Sequence, residues 1–281
     1  MKIILVYNPK SGSSKTAKEL RDLCKMNGIT LEKLVPLTPT IGRTLAPHIK
    51  AAKTIAAIGG DGTVSSIAAL VAGTKATLAP LPGGTLNHFT KDLGIPQDIN
   101  EAFARLKTAK KHAIDVASVN DIVFVNNASF GIYPTSLKVR EELEGSLGKW
   151  PAAVVGMTSA LMRFRIYTVT VNGRTIKTPF VFVGNNDYHL NDAGIMKRPY
   201  LDRGVLSVAI IRTTKRLHTM WLATKVISGT AQRLKEFETL TTDVLTIESK
   251  HTKLHVSHDG EVTTMRAPLR FEIRKKALRV I

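Results

Sequence analysis

Gly59-Gly60-Asp61-Gly62-Thr63 joins two opposed chemistries in five residues. The apolar run Thr54 to Ile58 precedes it, and a helix-like run from Thr63 to Ala72, stopped at Gly73, follows it. Strand, glycine turn and helix make a phosphate-binding geometry. Glycines let backbone approach an anion, and a helix N-terminus presents unpaired N–H groups to it. A carboxylate in such a loop would repel phosphate. Asp61 therefore needs a metal ion or a proton-transfer role, which points to nucleotide chemistry.

Two more turns have the same character. Asn8-Pro9-Lys10-Ser11-Gly12, continuing through Ser13-Ser14-Lys15, is small, basic and rich in hydroxyls. It does not fit the G-x-x-x-x-G-K-[ST] pattern. Pro82-Gly83-Gly84-Thr85-Leu86-Asn87 again puts two glycines and a hydroxyl ahead of a helix. Gly84 is expected to lack a side chain so that phosphate can approach, or because its turn needs a positive φ. Near the far end stands Ser257-His258-Asp259-Gly260-Glu261. Asp-Gly between two β-runs is a hairpin signal, and the carboxylates flanking Gly260 are also candidates for activating a hydroxyl. His258 and His88 lack the spacing of a zinc site.

These motifs need elements to hold them. Up to residue 111, strand and helix alternate: strands at 2–6, 31–37, 54–58 and 76–80, helices at 15–26, 42–52, 63–72, just after Thr85, and 98–110, the last with Asp98 as N-cap. Such repeats imply a parallel sheet covered by helices, an α/β domain over 1–111. From 112 to 266 the pattern is mostly β, at 114–119, 122–125, 166–171, 175–183, 205–211, 244–247 and 253–257, with a further strand from 269. Asn172-Gly173 marks a tight hairpin, and one long helix is expected over Thr214–Phe237. This half reads as a β-sandwich.

The net charge is +18, from 40 Lys+Arg against 22 Asp+Glu, and 43% of the 281 residues are hydrophobic. The basic excess runs along the whole chain and suits an anionic partner. No nucleic-acid module is visible. Cys24 is the one cysteine, so no intrachain disulfide forms and a reducing cytoplasm is expected. No signal peptide is read, and the longest uncharged apolar run, Trp150 to Met162, is too short to span a bilayer.

Together the four motifs resemble those of the diacylglycerol kinase catalytic family, which includes bacterial lipid kinases and sphingosine kinases. Order and spacing match along nearly the whole chain. The Gly-Gly-Asp-Gly loop alone is shared with NAD kinases and phosphofructokinases. Thr38 falls where the family places a nucleotide-contacting threonine, and Ile114-Asp115-Val116 where its second domain opens. The resemblance implies an ATP-binding α/β domain and a β-sandwich second domain, with a last strand near Leu269–Val280 returning to the first domain, which it rejoins at about 267–281. It implies nucleotide contacts from Asn8, Pro9, Lys10, Ser11, Gly12, Thr38, Gly59, Gly60, Asp61, Gly62, Thr63, Gly83, Gly84, Thr85 and Asn87. ATP and Mg2+ would be the cofactors, and Asp61 would orient Mg2+ or the acceptor. Glu261 or Asp259 would take the proton of a lipid hydroxyl, with Glu261 the first choice.

One stretch departs from the pattern. The family usually has Asp-Asp-Gly or Asn-Asp-Gly before a strand, where this chain has Leu201-Asp202-Arg203-Gly204. Asp202, one residue early, is left as the residue for the structural Mg2+ that some bacterial members build there. A lipid acceptor implies work at an anionic membrane surface, peripheral and on the cytoplasmic face. Arg163, Arg165, Lys215, Arg216, Lys225, Arg233 and Lys235 would supply attraction. A homodimer stays open. So do two other classes: a kinase for a soluble metabolite built on the same loops, and a catalytically silent anion binder.

Overall fold

Four short strands that lie level with one another build the edge on which the glycine loops stand. They are β1 (Lys2–Tyr7), β2 (Thr30–Pro36), β3 (Thr54–Gly59) and β4 (Thr77–Pro82). All run parallel in the order β2-β1-β3-β4. Tyr7 lies opposite Pro36 on one side and Ile58 on the other, and Gly59 lies opposite Pro82. The carboxyl ends are therefore in step, where open α/β sheets bind ligands. Every residue of β3 and β4 is buried, as expected of strands covered on both faces. The computed structural model describes residues 1–9, 15–131, 165–171, 173–190, 196–213, 215, 218–219, 222, 237–249 and 252–281. These divide into two units. One is Met1–Val116 with Val123–Asn126 and Arg274–Ile281; the other is Ala117–Ile122 with Asn127–Ile273.

In the first unit the helices are α1 (Ala17–Met26), α2 (Ile41–Lys50), α3 (Asp61–Val71), α4 (His88–Asp92) and α5 (Ile99–Arg105). α1 starts on a reciprocal cap: the Glu19 amide donates to Thr16 Oγ1 at 3.2 Å, and the Thr16 amide to Glu19 Oε2 at 2.7 Å. Two orphan donors are satisfied at once. The helix expected over 98–110 is shorter. Asp98 caps it, accepting from the amides of Asn100 and Glu101, but beyond Arg105 the amides of Leu106 and Thr108 bond three residues back. Those bonds tighten the chain into turns. Leu5, Leu20, Leu81 and Phe103, all fully buried, share one core cluster. Phe103→Ala there would cost about 3–5 kcal/mol.

β5 (His112–Val119) and β6 (Ile122–Phe124) are divided between the two units, and from β7 (Asn127–Gly131) on the described core of the second unit is β throughout. The expected hairpin forms: β8 (Tyr167–Val171) and β9 (Arg174–Thr178) pair so that Val171 faces Arg174 across two residues. The run expected at 175–183 is two strands. Pro179, which has no N–H to give a ladder, ends β9, and β10 (Phe180–Asn185) belongs to another sheet. Then come β11 (His189–Leu190), β12 (Met196–Lys197), β13 (Leu206–Ile211), β14 (Phe237–Thr242), β15 (Val244–Glu248), β16 (Lys253–His258), β17 (Glu261–Arg266) and β18 (Leu269–Val280). One layer is antiparallel, β14-β13-β10-β7-β16-β17; the other contains β9, β8, β15 and the start of β18. The rings of Phe130 on β7 and Tyr167 on β8 meet edge to face at 4.2 Å, tying the layers into a β-sandwich. The helix expected over Thr214–Phe237 lies mostly outside the described residues, and Phe237 itself opens β14. The Trp150–Met162 run also lies outside them, as do Arg163, Arg216, Lys225, Arg233 and Lys235. No helix among the described residues is long and apolar enough to cross a membrane.

β18 changes partner along its length. Leu269 to Glu272 pair antiparallel with β15, whereas Arg279 and Val280 run parallel to β4. Between them Lys276 has a φ of 50°, and its amide donates to Asp115 Oδ1 at 2.7 Å. Asp115, buried on β5, holds that irregular turn of the strand.

Candidate active site

The loops after β1, β2, β3 and β4 all leave the same edge of the parallel sheet. The structure thus brings Asn8, Pro9, Thr38, Gly59 to Thr63 and Gly83 to Asn87 to one side; Lys10, Ser11 and Gly12 lie outside the described residues. Thr38 is exposed, with its hydroxyl 3.3 Å from that of Thr40. Lys15 is ion-paired with Glu19 at 3.4 Å, on the surface of the first helical turn.

Two of the glycine loops are packed backbone against backbone. A Cβ on Gly84 would stand 2.4 Å from Gly60 Cα, and one on Gly83 would stand 2.8 Å from the Gly59 nitrogen. Gly84 does not have a positive φ. Its lack of a side chain is required first by the neighbouring loop. Gly59 is crowded by Thr63, whose atoms would come within 2.6 Å of an added Cβ. Gly60 differs: the nearest atom to its Cβ would be 3.6 Å away, and its φ is −73°. Neither packing nor backbone conformation asks for glycine there, which leaves room for an incoming group.

Several of the expected ligand residues hold the loops. Thr63 is buried, and its Oγ1 accepts from Asn8 Nδ2 at 3.3 Å, joining the loops after β1 and β3. Asn87 sits in the left-handed region with a φ of 52°. Its Oδ1 accepts from the Gly84 amide and its Nδ2 donates to the Gly84 carbonyl, both at 2.9 Å. Thr85 remains exposed between the clamped residues. The N-terminus of α3 begins two residues earlier than the sequence suggested, with Gly60 as its cap and Asp61 as its first residue. The Thr63 and Val64 amides bond to the Gly60 carbonyl, while those of Asp61 and Gly62 have no partner among the described residues. These free donors face the field of an eleven-residue helix, the arrangement an anion needs.

Asp61 has a structural task as well. Its Oδ1 accepts from the Phe89 amide at 3.2 Å, capping α4, where Asn87 makes no side-chain cap. Its Oδ2 has no hydrogen bond among the described residues and remains available to a cation.

In the second unit, Asp259 and Gly260 are the two-residue turn between β16 and β17, with φ of 46° and 89°. Both are positive, as the favoured hairpin turn requires. Asp259 is bound to β7 twice: its amide donates to the Asn127 carbonyl at 2.9 Å, and its Oδ1 accepts from the Asn127 amide at 3.2 Å. Glu261 is exposed, and its carboxylate makes no hydrogen bond or ion pair among the described residues. It lies opposite His258, so the two side chains share a face. His258 is buried, with Nε2 2.9 Å from Thr263 Oγ1. Burial pushes its pKa down, against a smaller upward pull from Glu261. Sequence spacing had set His258 aside; its pairing with Glu261 follows from the turn at Asp259-Gly260.

Asp202 is exposed. The described residues hold no cluster of three His, Cys, Asp or Glu able to bind a metal, and Arg203 stands beside Asp202. A cation inside the donor set opposes a hard divalent ion, which wants several oxygen ligands. The structural Mg2+ site does not fit these residues.

Known proteins resemble the chain in sequence and fold. Residues 2–119 match the model described as diacylglycerol kinase catalytic domain, and residues 148–281 that of the YegS C-terminal NAD kinase beta sandwich-like domain. A Klebsiella pneumoniae (strain 342) protein named "Probable lipid kinase YegS-like" is 32% identical over 154 residues, 52% of this chain and 51% of that protein. The chain spans about half the length of the curated relatives it matches. A crystal structure of a diacylglycerol kinase from Bacillus anthracis str. Sterne superposes with a TM-score of 0.65 at 19% identity, covering 100% of this chain and 96% of that one. An NAD kinase from Archaeoglobus fulgidus in complex with ATP superposes at 0.54 with 13% identity, covering 100% and 92%. These two share the fold. Its first part is thus similar to the diacylglycerol kinase catalytic domain and its second to the YegS C-terminal sandwich domain.

Proposed function

We propose that the chain is an ATP-dependent kinase that phosphorylates the hydroxyl of diacylglycerol or a related lipid, working at the cytoplasmic face of an anionic membrane. The observation that carries this reading is the strand-end edge of the first unit. There, unpaired α3 amides, a glycine without a packing role at 60, and a carboxylate with one free oxygen stand together. A fold neighbour binds ATP, and the family model and the Klebsiella relative carry lipid-kinase names.

In this reading the amides of Asp61 and Gly62 and the loops at Asn8–Gly12, Thr38 and Gly83–Asn87 hold the nucleotide. The free oxygen of Asp61 would hold Mg2+, which would supply neutralisation of the phosphate charge. Glu261 takes the proton of the lipid hydroxyl as its oxygen attacks the γ-phosphorus, ADP leaves, and the phosphorylated lipid is released. Asp259 sets the turn that presents Glu261. Little covalent chemistry falls to the protein, so positioning and charge stabilisation supply the rate. The net charge of +18 favours anionic headgroups, at roughly 1 kcal/mol per well-placed Lys or Arg.

The test is transfer from radiolabelled ATP to diacylglycerol, sphingoid base, ceramide and prenol in anionic vesicles, with soluble alcohols in a parallel arm. Label in a lipid product is expected. Label only in the soluble arm establishes the metabolite kinase instead, and ATP binding with no transfer to any acceptor leaves the silent binder.

A further inference from the structure

The described residues between the end of β10 and the start of β13 are secured by amides and guanidinium groups. Asn185 and Asn186 are fully buried. Asn186, with a φ of 65°, accepts at Oδ1 from the Gly204 amide at 3.0 Å and donates its own amide to the Val205 carbonyl at 2.9 Å. Buried Arg198 donates from Nη1 to the Asn185 carbonyl at 3.3 Å, and its guanidinium lies 5.3 Å from the centre of the Tyr188 ring. Tyr188 in turn packs on Gly184, where a Cβ would stand 2.2 Å from its ring. The same pairing recurs toward the surface. Arg203 lies over the Tyr200 ring at 4.5 Å, with Nε 4.0 Å from Asp187 Oδ2.

In this stretch the residue directly before Gly204 is Arg203, where the sequence resemblance leads one to expect an acidic residue. Among the described residues, Asp187, at the near end of the segment, is an acidic group that faces Arg203. A carboxylate at 203 would add a hard oxygen donor to those of Asp202 and Asp187; a guanidinium there is instead the counter-charge of Asp187. We propose that Arg203 takes the place of a divalent cation in this segment, neutralising Asp187 from within the chain, so that the fold of the second unit needs no bound metal. The aromatic face of Tyr200 keeps the guanidinium in place at a side-chain exposure of 56%, where an ion pair alone would hold it weakly. The proposal does not depend on which acceptor is phosphorylated, nor on ATP.

Thermal melting without nucleotide tests it. The wild-type chain should melt at the same temperature in millimolar Mg2+ and in EDTA. Arg203→Asp, which places two carboxylates before Gly204, should gain a response to Mg2+ of roughly 3 °C or more. Arg203→Gln, which removes the cation and adds no ligand, should show none. Terbium emission excited through the tyrosines gives a direct reading, expected in Arg203→Asp and absent from the wild type. A wild-type midpoint that rises with Mg2+, or an Arg203→Asp chain that folds and ignores it, overturns the proposal. Should Arg203→Asp not fold, the cycle of Arg203→Gln with Asp187→Asn decides at low salt. Each single change should lower the midpoint by about 1–3 °C, with no further loss in the double variant. Additive losses overturn the pairing.

Discussion

Asp61 and Asp259 are tethered alike, yet different capacity is left around them. Each gives Oδ1 to a backbone amide distant in sequence, Phe89 for one and Asn127 for the other, both at 3.2 Å. Around Asp61 the glycine loops pack on each other and the second carboxylate oxygen stays available. Around Asp259 the chain turns at two positive-φ residues, and the available carboxylate is that of the next side chain but one, Glu261. A tethered oxygen maintains geometry and an untethered one can do chemistry. The first unit puts both on one residue; the second divides them between two.

The division is sharpest at the hairpin. Glu261→Gln should lower kcat by about 10²–10⁴ while leaving ATP affinity nearly unchanged, since the amide can no longer accept the proton. Asp259→Asn keeps an acceptor for the Asn127 amide, so melting and most turnover should survive. If steady-state kinetics show the reverse, the roles exchange and the comparison breaks.

Asp61 should split by substitution type. Asp61→Asn keeps the acceptor for Phe89 and loses the charge; activity should fall about 10²–10³-fold with an unchanged melting point. Asp61→Ala loses the cap as well and should melt lower, by about 1 kcal/mol. Near-normal turnover in Asp61→Asn would confine this carboxylate to capping.

The glycines allow a smaller test of the same idea. Gly84→Val collides with Gly60 and should destabilise the first unit by about 1–3 kcal/mol, seen as a lower denaturant midpoint. Gly60→Ala should leave stability close to wild type and still weaken ATP binding by calorimetry. Equal ATP affinity in Gly60→Ala would remove the close-approach argument.

The smallest effect expected is in stability against pH. Burial lowers the folded pKa of His258, so its contribution is whole above the unfolded value near 6.5 and is lost as pH falls toward the folded value. His258→Gln should flatten that part of the melting-temperature profile. A profile identical to wild type would mean that the imidazole facing Glu261 plays no part in it.

The glycine loops were legible because turn chemistry is local: strand, glycines and helix follow one another in the chain. What holds the loops was not. The Asn8–Thr63 bond spans 55 residues and the Asp259–Asn127 bond spans 132. β7 was missed for a similar reason. Asn127-Ala128-Ser129-Phe130-Gly131 has little strand signal of its own and is made a strand by β10 and β16 on either side. Gly131, with a φ of 106°, leaves no room for a side chain beside the Pro179 carbonyl. The cap at Thr16 and Glu19, by contrast, is local and readable as Thr-x-x-Glu.

The return of β18 to β4 sets an order of assembly. Arg279 reaches the Thr74 carbonyl across 205 residues, and until it does the outer edge of β4 has bare amides and carbonyls. During synthesis the first unit must therefore wait, with that edge open, while the sandwich emerges from the ribosome. Such long-range closure slows folding and exposes a sticky margin to its neighbours. Residues 1–111 expressed alone would keep this margin permanently, so a soluble fragment of the first unit has to carry the last strand, grafted through a short linker.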